Sequence, residues 1–259
     1  MKPFKVLTLI TGFIISALSV YAFVVGDKTP ARKNIAVANG KGFAVLELFT
    51  SEGCSSCPPA DELLAKIQQE TQGKAVYLLA YHVDYWNRLG WKDAFSDAGF
   101  SARQRQYSDW LGGTQIYTPQ VIVNGQAEFI GSDETALTNA IANGLAANQA
   151  TTLELKAQQD GKQLRLLYQA TGIPKGSKLL IALVQKNAQS RVERGENAGR
   201  VLSHVQIVRK IQTESLNAGG TGSSTMELPG NFNTQGWEVL CLVQNQANGN
   251  ILAAARANF

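Results

Sequence analysis

The sequence predicts an α/β domain, in which helices flank a mixed sheet with an insertion, followed by an all-β, sandwich-like C-terminal domain. Strand-like apolar runs alternate with helical segments up to about residue 148, and short strands without a long helix follow from residue 151. The chain has 259 residues, of which 44% are hydrophobic and 17% charged. This globular composition excludes intrinsic disorder, collagen and coiled coil.

The charge balance argues against one class of partner. The formal net charge is +4, from 24 Lys and Arg residues against 20 Asp and Glu residues, and the basic residues form no cluster. A nucleic-acid-binding protein would concentrate positive charge on one face. We therefore expect no nucleic-acid partner.

The N-terminal segment is typical of an export signal. Lys2 and Lys5 flank an uncharged, apolar run over residues 6–26, and this pattern directs the following chain across a membrane. Residues 20–22 offer a loose cleavage site, but the run is also long enough to span a bilayer. Residues 1–26 are predicted to be a signal peptide or an N-terminal membrane anchor. The mature protein is then periplasmic or secreted, and it contacts the inner membrane only through residues 6–26 if they are retained.

The first domain, residues 41–148, begins with a strand, a helix and a second strand. Residues 43–50 form an apolar run, and residues 76–83 form another. Between them Pro58–Glu70 is predicted to be helical, because prolines stand at its start and Leu64 and Ile67 have core spacing.

An insertion and a closing unit follow in this domain. Residues 84–113 are polar and aromatic with helical pieces. Residues 119–124 and 127–130 predict a hairpin, and residues 135–145 a helix with its apolar side chains on one stripe.

The second domain, residues 151–259, contains only short strands. Asp160-Gly161 is a strong turn signal between two alternating runs. The predicted strands are 152–157, 163–169, 178–185, 203–211, 224–228, 237–244 and 251–256. Cys241, in the sixth of these, is expected to be a buried, inert thiol.

The pair Cys54-Ser55-Ser56-Cys57 carries the strongest chemical signal. It lies between a strand and the start of a helix, where the helix dipole and free backbone N–H groups stabilise a thiolate. Cys54 is therefore predicted to be the exposed nucleophile and Cys57 the resolving thiol of a redox-active disulfide.

Two other interpretations of this pair stay open. In a periplasmic metal-handling protein of the copper-chaperone type, Cys54, Cys57 and His82 would form a thiolate–imidazole site for soft ions. In a non-enzymatic envelope protein, the disulfide would be structural and the β-domain would bind a partner. The segment 194–204 is compatible with a charged recognition loop or with a solvated loop between strands.

A second signal makes the redox interpretation more specific. Thr118-Pro119 directly precedes an apolar strand, and the segment 117–125 resembles the cis-proline, strand and turn of thioredoxin-like proteins. Residues 43–145 therefore resemble the thioredoxin fold. The exported chain is also similar to the uncharacterised secreted family called domain of unknown function 1223, over residues 47–61, 82–95, 103–107, 117–125 and 194–204.

The resemblance to thioredoxins implies roles for several residues. Cys54 and Cys57 would exchange with thiols and disulfides of exported client proteins, while Thr118 and Pro119 hold the client backbone; no cofactor is expected. Glu47 is the nearest candidate for the buried proton acceptor of thioredoxins, one residue too far from Cys54. Gly53 replaces the aromatic residue that thioredoxins carry before the first cysteine. The expected function is therefore an exported thiol–disulfide oxidoreductase whose redox direction the sequence does not specify.

Overall fold

The structure is a computed structural model that describes residues 42–217 and 219–257. The predicted signal peptide or membrane anchor lies outside this range. Within the described ranges, no helix has both the length and the apolar character required to cross a bilayer.

Eleven strands and three α-helices make up the described chain. The first half contains β1 (Ala44–Thr50), α1 (Pro58–Glu70), β2 (Val76–His82), a 3₁₀ turn (Asn87–Leu89), α2 (Ala98–Trp110), β3 (Gln120–Val123), β4 (Ala127–Ile130) and α3 (Glu134–Ala146). The second half contains β5 (Thr152–Asp160), β6 (Gln163–Thr171), β7 (Ser177–Arg191), β8 (Val201–Ser215), β9 (Thr221–Glu227), β10 (Trp237–Asn245) and β11 (Ile251–Arg256).

The strands form two sheets. The large sheet is mixed and has the order β11-β10-β7-β8-β2-β1-β3-β4, and the small sheet is antiparallel with the order β5-β6-β9. In the large sheet β1 runs parallel to β2 and antiparallel to β3. Helices flank this sheet, so the predicted mixed α/β architecture is confirmed at that level.

The two faces of β1 contact different helices, because alternate side chains of a strand point to opposite faces. Leu46 and Leu48 pack on one face with apolar side chains of α1 and α3, among them Ile67 and Ile141. The opposite face of β1 belongs to a separate core with α2, to which α2 contributes Phe100 and Tyr107. The predicted insertion thus contains a helix whose aromatic residues fill a core.

The second core also includes strands from the C-terminal half. Its buried members from β7, β8 and β10 include Leu180, Val208 and Leu240. Strand β8 also pairs in parallel with β2, with Ala80 opposite Ile207. The sequence predicted a separate β-sandwich after residue 151, whereas the structure joins β7, β8, β10 and β11 to the first-half sheet. The physical reason is that β2 would otherwise expose an unpaired edge beside an apolar face.

The sandwich-like part of the prediction corresponds to the small sheet. Leu164 and Leu166 of β6 pack against Ile181 of β7 and Val239 of β10. Cys241 lies in this same core, where it is a free thiol whose pKa burial raises to about 12. This high pKa keeps the thiol protonated near neutral pH and fits the expected inert role.

We predict that the two halves unfold together. A fragment of residues 42–148 should lack a cooperative urea transition monitored by near-UV circular dichroism, because it leaves the α2-side core without its β7, β8 and β10 side chains. The control is the chain from residue 42 to its C-terminus, for which we expect a single transition. A cooperative transition in the short fragment would show that the first half is an independent domain.

Candidate functional site

The cysteine pair forms a disulfide between β1 and α1. The Cα atoms of Cys54 and Cys57 lie 5.4 Å apart, within the range that a disulfide requires. Cys57 is the N-cap residue of α1, and Pro58 follows at the first helical position, where its missing N–H costs nothing. Strand end, disulfide and helix start therefore occur within eight residues of Thr50.

The segment Thr118-Pro119 lies directly beside this disulfide. Its peptide bond is cis, and β3, which begins at the next residue, pairs with β1. The carbonyl oxygen of Thr118 lies 3.8 Å from Cys54 Sγ and 3.5 Å from the hydroxyl of Ser56. Trp86 from the insertion donates its indole N–H to the Thr118 hydroxyl at 2.8 Å.

The structure differs from the prediction that Cys54 is exposed. Both cysteines have 0% of their surface exposed, while Ser55 and Ser56 between them are exposed. A Cβ atom added to Gly53 would meet Trp86 Cβ at 3.1 Å. Trp86 thus occupies the space into which a side chain at position 53 would project, and this explains the glycine before Cys54.

A loop from the C-terminal half also reaches the disulfide. Residues 192–200, which we call the β7–β8 loop, bring Asn197 to the carbonyl oxygens of Glu52 and Cys54, each 2.9 Å from its Nδ2. Glu196 accepts a hydrogen bond from the backbone N–H of Ser55 at 3.0 Å. These residues were not identified from the sequence. The only signal was the charged segment at 194–204.

Glu47 occupies a different place from the one predicted for a proton acceptor. It lies on the α2 face of β1, where its carboxylate pairs with Arg103 at 2.5 and 2.9 Å and accepts a hydrogen bond from Tyr107. The disulfide belongs to α1, which packs on the opposite face of the sheet. Glu47 is therefore part of a buried ion pair. Burial, reinforced by Glu47, raises the pKa of Tyr107 well above its usual value and keeps this hydroxyl protonated.

Another buried acid lies closer to Cys57. Asp61 is one helical turn further along α1, and its backbone N–H donates to the Cys57 carbonyl at 3.1 Å. Its carboxylate lies 3.5 Å from the Thr50 hydroxyl and 3.4 Å from Nδ1 of His204 in β8. Asp61 also stands in the first turn of α1, where the helix dipole favours negative charge. Its burial depends on β8, which sequence periodicity did not place there.

His204 lies between two buried carboxylates. Its Nε2 atom is 3.5 Å from Oε1 of Glu52, and its other nitrogen faces Asp61. Burial opposes the charge of the imidazole, but hydrogen bonds and charge interactions with Asp61 and Glu52 outweigh it. The pKa of His204 is consequently raised to about 9, so His204 is a cation at neutral pH.

His82 belongs to the same buried region. Its Nδ1 atom lies 2.7 Å from Oδ2 of Asp93, and its ring contacts that of His204 with centroids 4.8 Å apart. Asp93 also accepts the backbone N–H of Glu52 at 2.9 Å. Burial opposes ionisation of Asp93, yet His82 and these backbone donors lower its pKa overall. Across residues 42–217 and 219–257, no group of three or more His, Cys, Asp or Glu side chains is arranged to hold a metal ion.

We predict that Arg103→Met destabilises the protein by about 3 to 5 kcal/mol, because it leaves the Glu47 carboxylate buried without a counter-charge. The free energy of unfolding from urea titration measures this change. Arg105→Met on the exposed side of α2 is the matched control and should change it by less than about 0.5 kcal/mol. Equal, small effects would show that the ion pair contributes little.

The pKa of His204 predicts a pH dependence of stability. The folded-state value of about 9 lies above the unfolded value of 6.5, so the stabilisation is complete below pH 6.5 and is lost as the pH rises through 9. The native protein should therefore have a higher free energy of unfolding than His204→Gln at pH 6. This difference should fall by up to about 3 kcal/mol between pH 6 and pH 10. Urea titrations of both proteins at each pH test this. A difference independent of pH would contradict a protonated His204.

One family model and one solved structure match most of this chain. The model of the family described as "Protein of unknown function (DUF1223)" matches residues 45–244. A crystal structure of an Agrobacterium tumefaciens protein, a structural genomics target, is 27% identical and has a TM-score of 0.64, covering 83% of this chain and 93% of that one.

Other similarities are weaker. A β-glucosidase from Kluyveromyces marxianus is 14% identical over 42% of this chain and 14% of its own, with a TM-score of 0.22, and it supports no argument. No curated protein shows significant sequence similarity. The family model covers more than half of the chain and both cysteines of the disulfide. The chain therefore belongs to the DUF1223 family.

Proposed function

We propose that this chain is a thioredoxin-like thiol–disulfide oxidoreductase that uses Cys54 and Cys57. The observation that carries the proposal is the disulfide at the start of α1, with the cis Thr118-Pro119 segment 3.8 Å from Cys54 Sγ. Helices on both faces of the β2-β1-β3-β4 strands support the thioredoxin-like assignment.

The chemistry is a reversible exchange between one dithiol and one disulfide. In the reduced protein the Cys54 thiolate attacks a client sulfur, forming a Cys54–client disulfide while the departing client sulfur takes up a proton. The Cys57 thiolate then attacks Cys54, which forms the Cys54–Cys57 disulfide and releases the second client thiol. The client is reduced and this protein is oxidised by the same two electrons, and the difference in reduction potential sets the direction.

The surroundings of the pair suit each step. The positive end of the α1 dipole favours negative charge on the Cys54 sulfur. The Thr118 carbonyl beside that sulfur is positioned to accept a hydrogen bond from a thiol or from an extended client segment. Pro119 is buried and has no backbone N–H to donate, and its side chain lies close to Gly131, as do those of Ala60 and Leu48.

The burial of both sulfurs limits the choice of clients. Cys54 is fully buried, with the Ser56 hydroxyl 3.3 Å from its sulfur, so the surrounding residues must rearrange before a client sulfur reaches it. We therefore propose a narrow client range among exported proteins. Export itself is proposed from the apolar segment 6–26, and an oxidising compartment would maintain the disulfide.

We predict different outcomes for the two cysteines. In the reduced protein at pH 7, Cys54 should react with iodoacetamide at least about tenfold faster than Cys57, because the helix start stabilises its thiolate. Cys54→Ser should abolish exchange with bis(2-hydroxyethyl) disulfide, whereas Cys57→Ser should accumulate a mixed disulfide on Cys54, detected by intact-protein mass spectrometry.

Cys241→Ser is the control and should leave both results unchanged, since that thiol lies in another core. Equal, slow alkylation of Cys54 and Cys57, with no exchange in the native protein, would support a structural disulfide instead. Tight copper binding that requires both cysteines would support a metal-handling protein.

A further inference from the structure

The surface above the disulfide is formed by a short segment and one carboxylate. Ser55 and Ser56 are exposed, and the Ser55 N–H donates to the carboxylate of the exposed Glu196. Among the described residues, no other charged side chain forms a hydrogen bond with residues 54–57. Because the Ser56 hydroxyl lies 3.3 Å from Cys54 Sγ, a client that contacts the Ser55-Ser56 segment lies close to both the sulfur and this carboxylate.

The position of Glu196 is fixed by its neighbour. Asn197 is 1% exposed, and its side chain donates to the carbonyls of Glu52 and Cys54 while accepting from Arg200 at 3.0 Å. The β7–β8 loop is closed by backbone hydrogen bonds of Val192 with Gly199 and Arg200. A carboxylate next to such an anchor is held close to the Ser55 N–H.

The same contact keeps the carboxylate ionised. Hydrogen bonds from Ser55 lower the pKa of Glu196, so it carries a full negative charge at neutral pH. The guanidinium of Arg200 donates to the Asn197 side chain, whereas the Glu196 carboxylate accepts the hydrogen bond from the Cys-x-x-Cys segment. The charged group in direct contact with Ser55 is therefore an anion.

We propose that Glu196 is a specificity-determining residue that selects clients whose reactive cysteine is flanked by lysine or arginine. The inference rests on the proposed exchange at Cys54 and extends it to the chemical class of the client. In water, a position about 7 Å from the carboxylate is occupied by a positively charged group about threefold more often than by a neutral group. A negatively charged group occupies it less often than a neutral group by a similar factor.

The test compares three small disulfides of different charge on the full chain carrying Cys57→Ser, which stops the reaction at the first adduct. The reagents are cystamine (cationic), bis(2-hydroxyethyl) disulfide (neutral) and 3,3′-dithiodipropionate (anionic). The measured quantity is the ratio of cystamine to dithiodipropionate rate constants for adduct formation, at low salt. Because the reagents differ in intrinsic reactivity, the ratio is compared between proteins.

We expect Glu196→Gln to lower this ratio by about fivefold or more, since glutamine keeps an acceptor for the Ser55 N–H but removes the charge. Glu193→Gln, an exposed carboxylate of the same loop, should leave the ratio unchanged. High salt should lower the ratio of rate constants measured with native Glu196 towards the ratio measured with Glu196→Gln. The reason is that the Debye length falls to about 3 Å at 1 M salt, which screens the carboxylate.

Other outcomes would overturn the proposal. If Glu196→Gln changes all three rates by the same factor, the residue acts on Cys54 reactivity or loop position and does not select clients by charge. An unchanged ratio at every salt concentration has the same consequence. If no reagent forms an adduct with Cys54 in any of the proteins, the exchange reaction itself fails, and the client preference fails with it.

Discussion

Strand β8 runs beside β2, and the geometry around the disulfide depends on this junction. The pairing of Ala80 with Ile207 places His204 against Asp61 of α1, and it brings the β7–β8 loop to the backbone of Cys54. Without β8, the Cys-x-x-Cys turn would lose the His204 imidazole beside Asp61 and the hydrogen bonds from the Asn197 side chain. The C-terminal half is therefore a structural component of the candidate site.

The buried charges around the site are compatible with a stable fold because each lies near a partner. Glu47 is paired with Arg103, Asp93 lies against the His82 ring, and His204 lies between two carboxylates. Moving a charged group from water into the protein interior costs several kcal/mol, and a neighbouring partner is needed to offset this cost. These networks fix the positions of β1, α2 and β8 more narrowly than apolar packing alone, because hydrogen bonds impose direction as well as contact.

In the proposed exchange reaction, reactivity and access are set by different parts of the chain. The helix dipole of α1 would favour the Cys54 thiolate, whereas the burial of both sulfurs would restrict which molecules reach it. Gly53 and Trp86 form one feature, since a side chain at position 53 would meet the Cβ atom of Trp86. The proposal of a narrow client range rests on this burial.

The sequence by itself determined the local features of this protein. Apolar periodicity and Pro58 placed α1 behind the cysteines, the alternating runs predicted the strands, and the spacing of Cys54 and Cys57 predicted a disulfide. These features depend on residues close together in the chain. Only the tertiary structure decided which strands share a sheet, that Glu47 pairs with Arg103, that His204 lies against Asp61, and that Asn197 reaches the backbone of Cys54. Such contacts join residues 56 to 143 positions apart, and no local pattern encodes which distant edge or charge will be the partner.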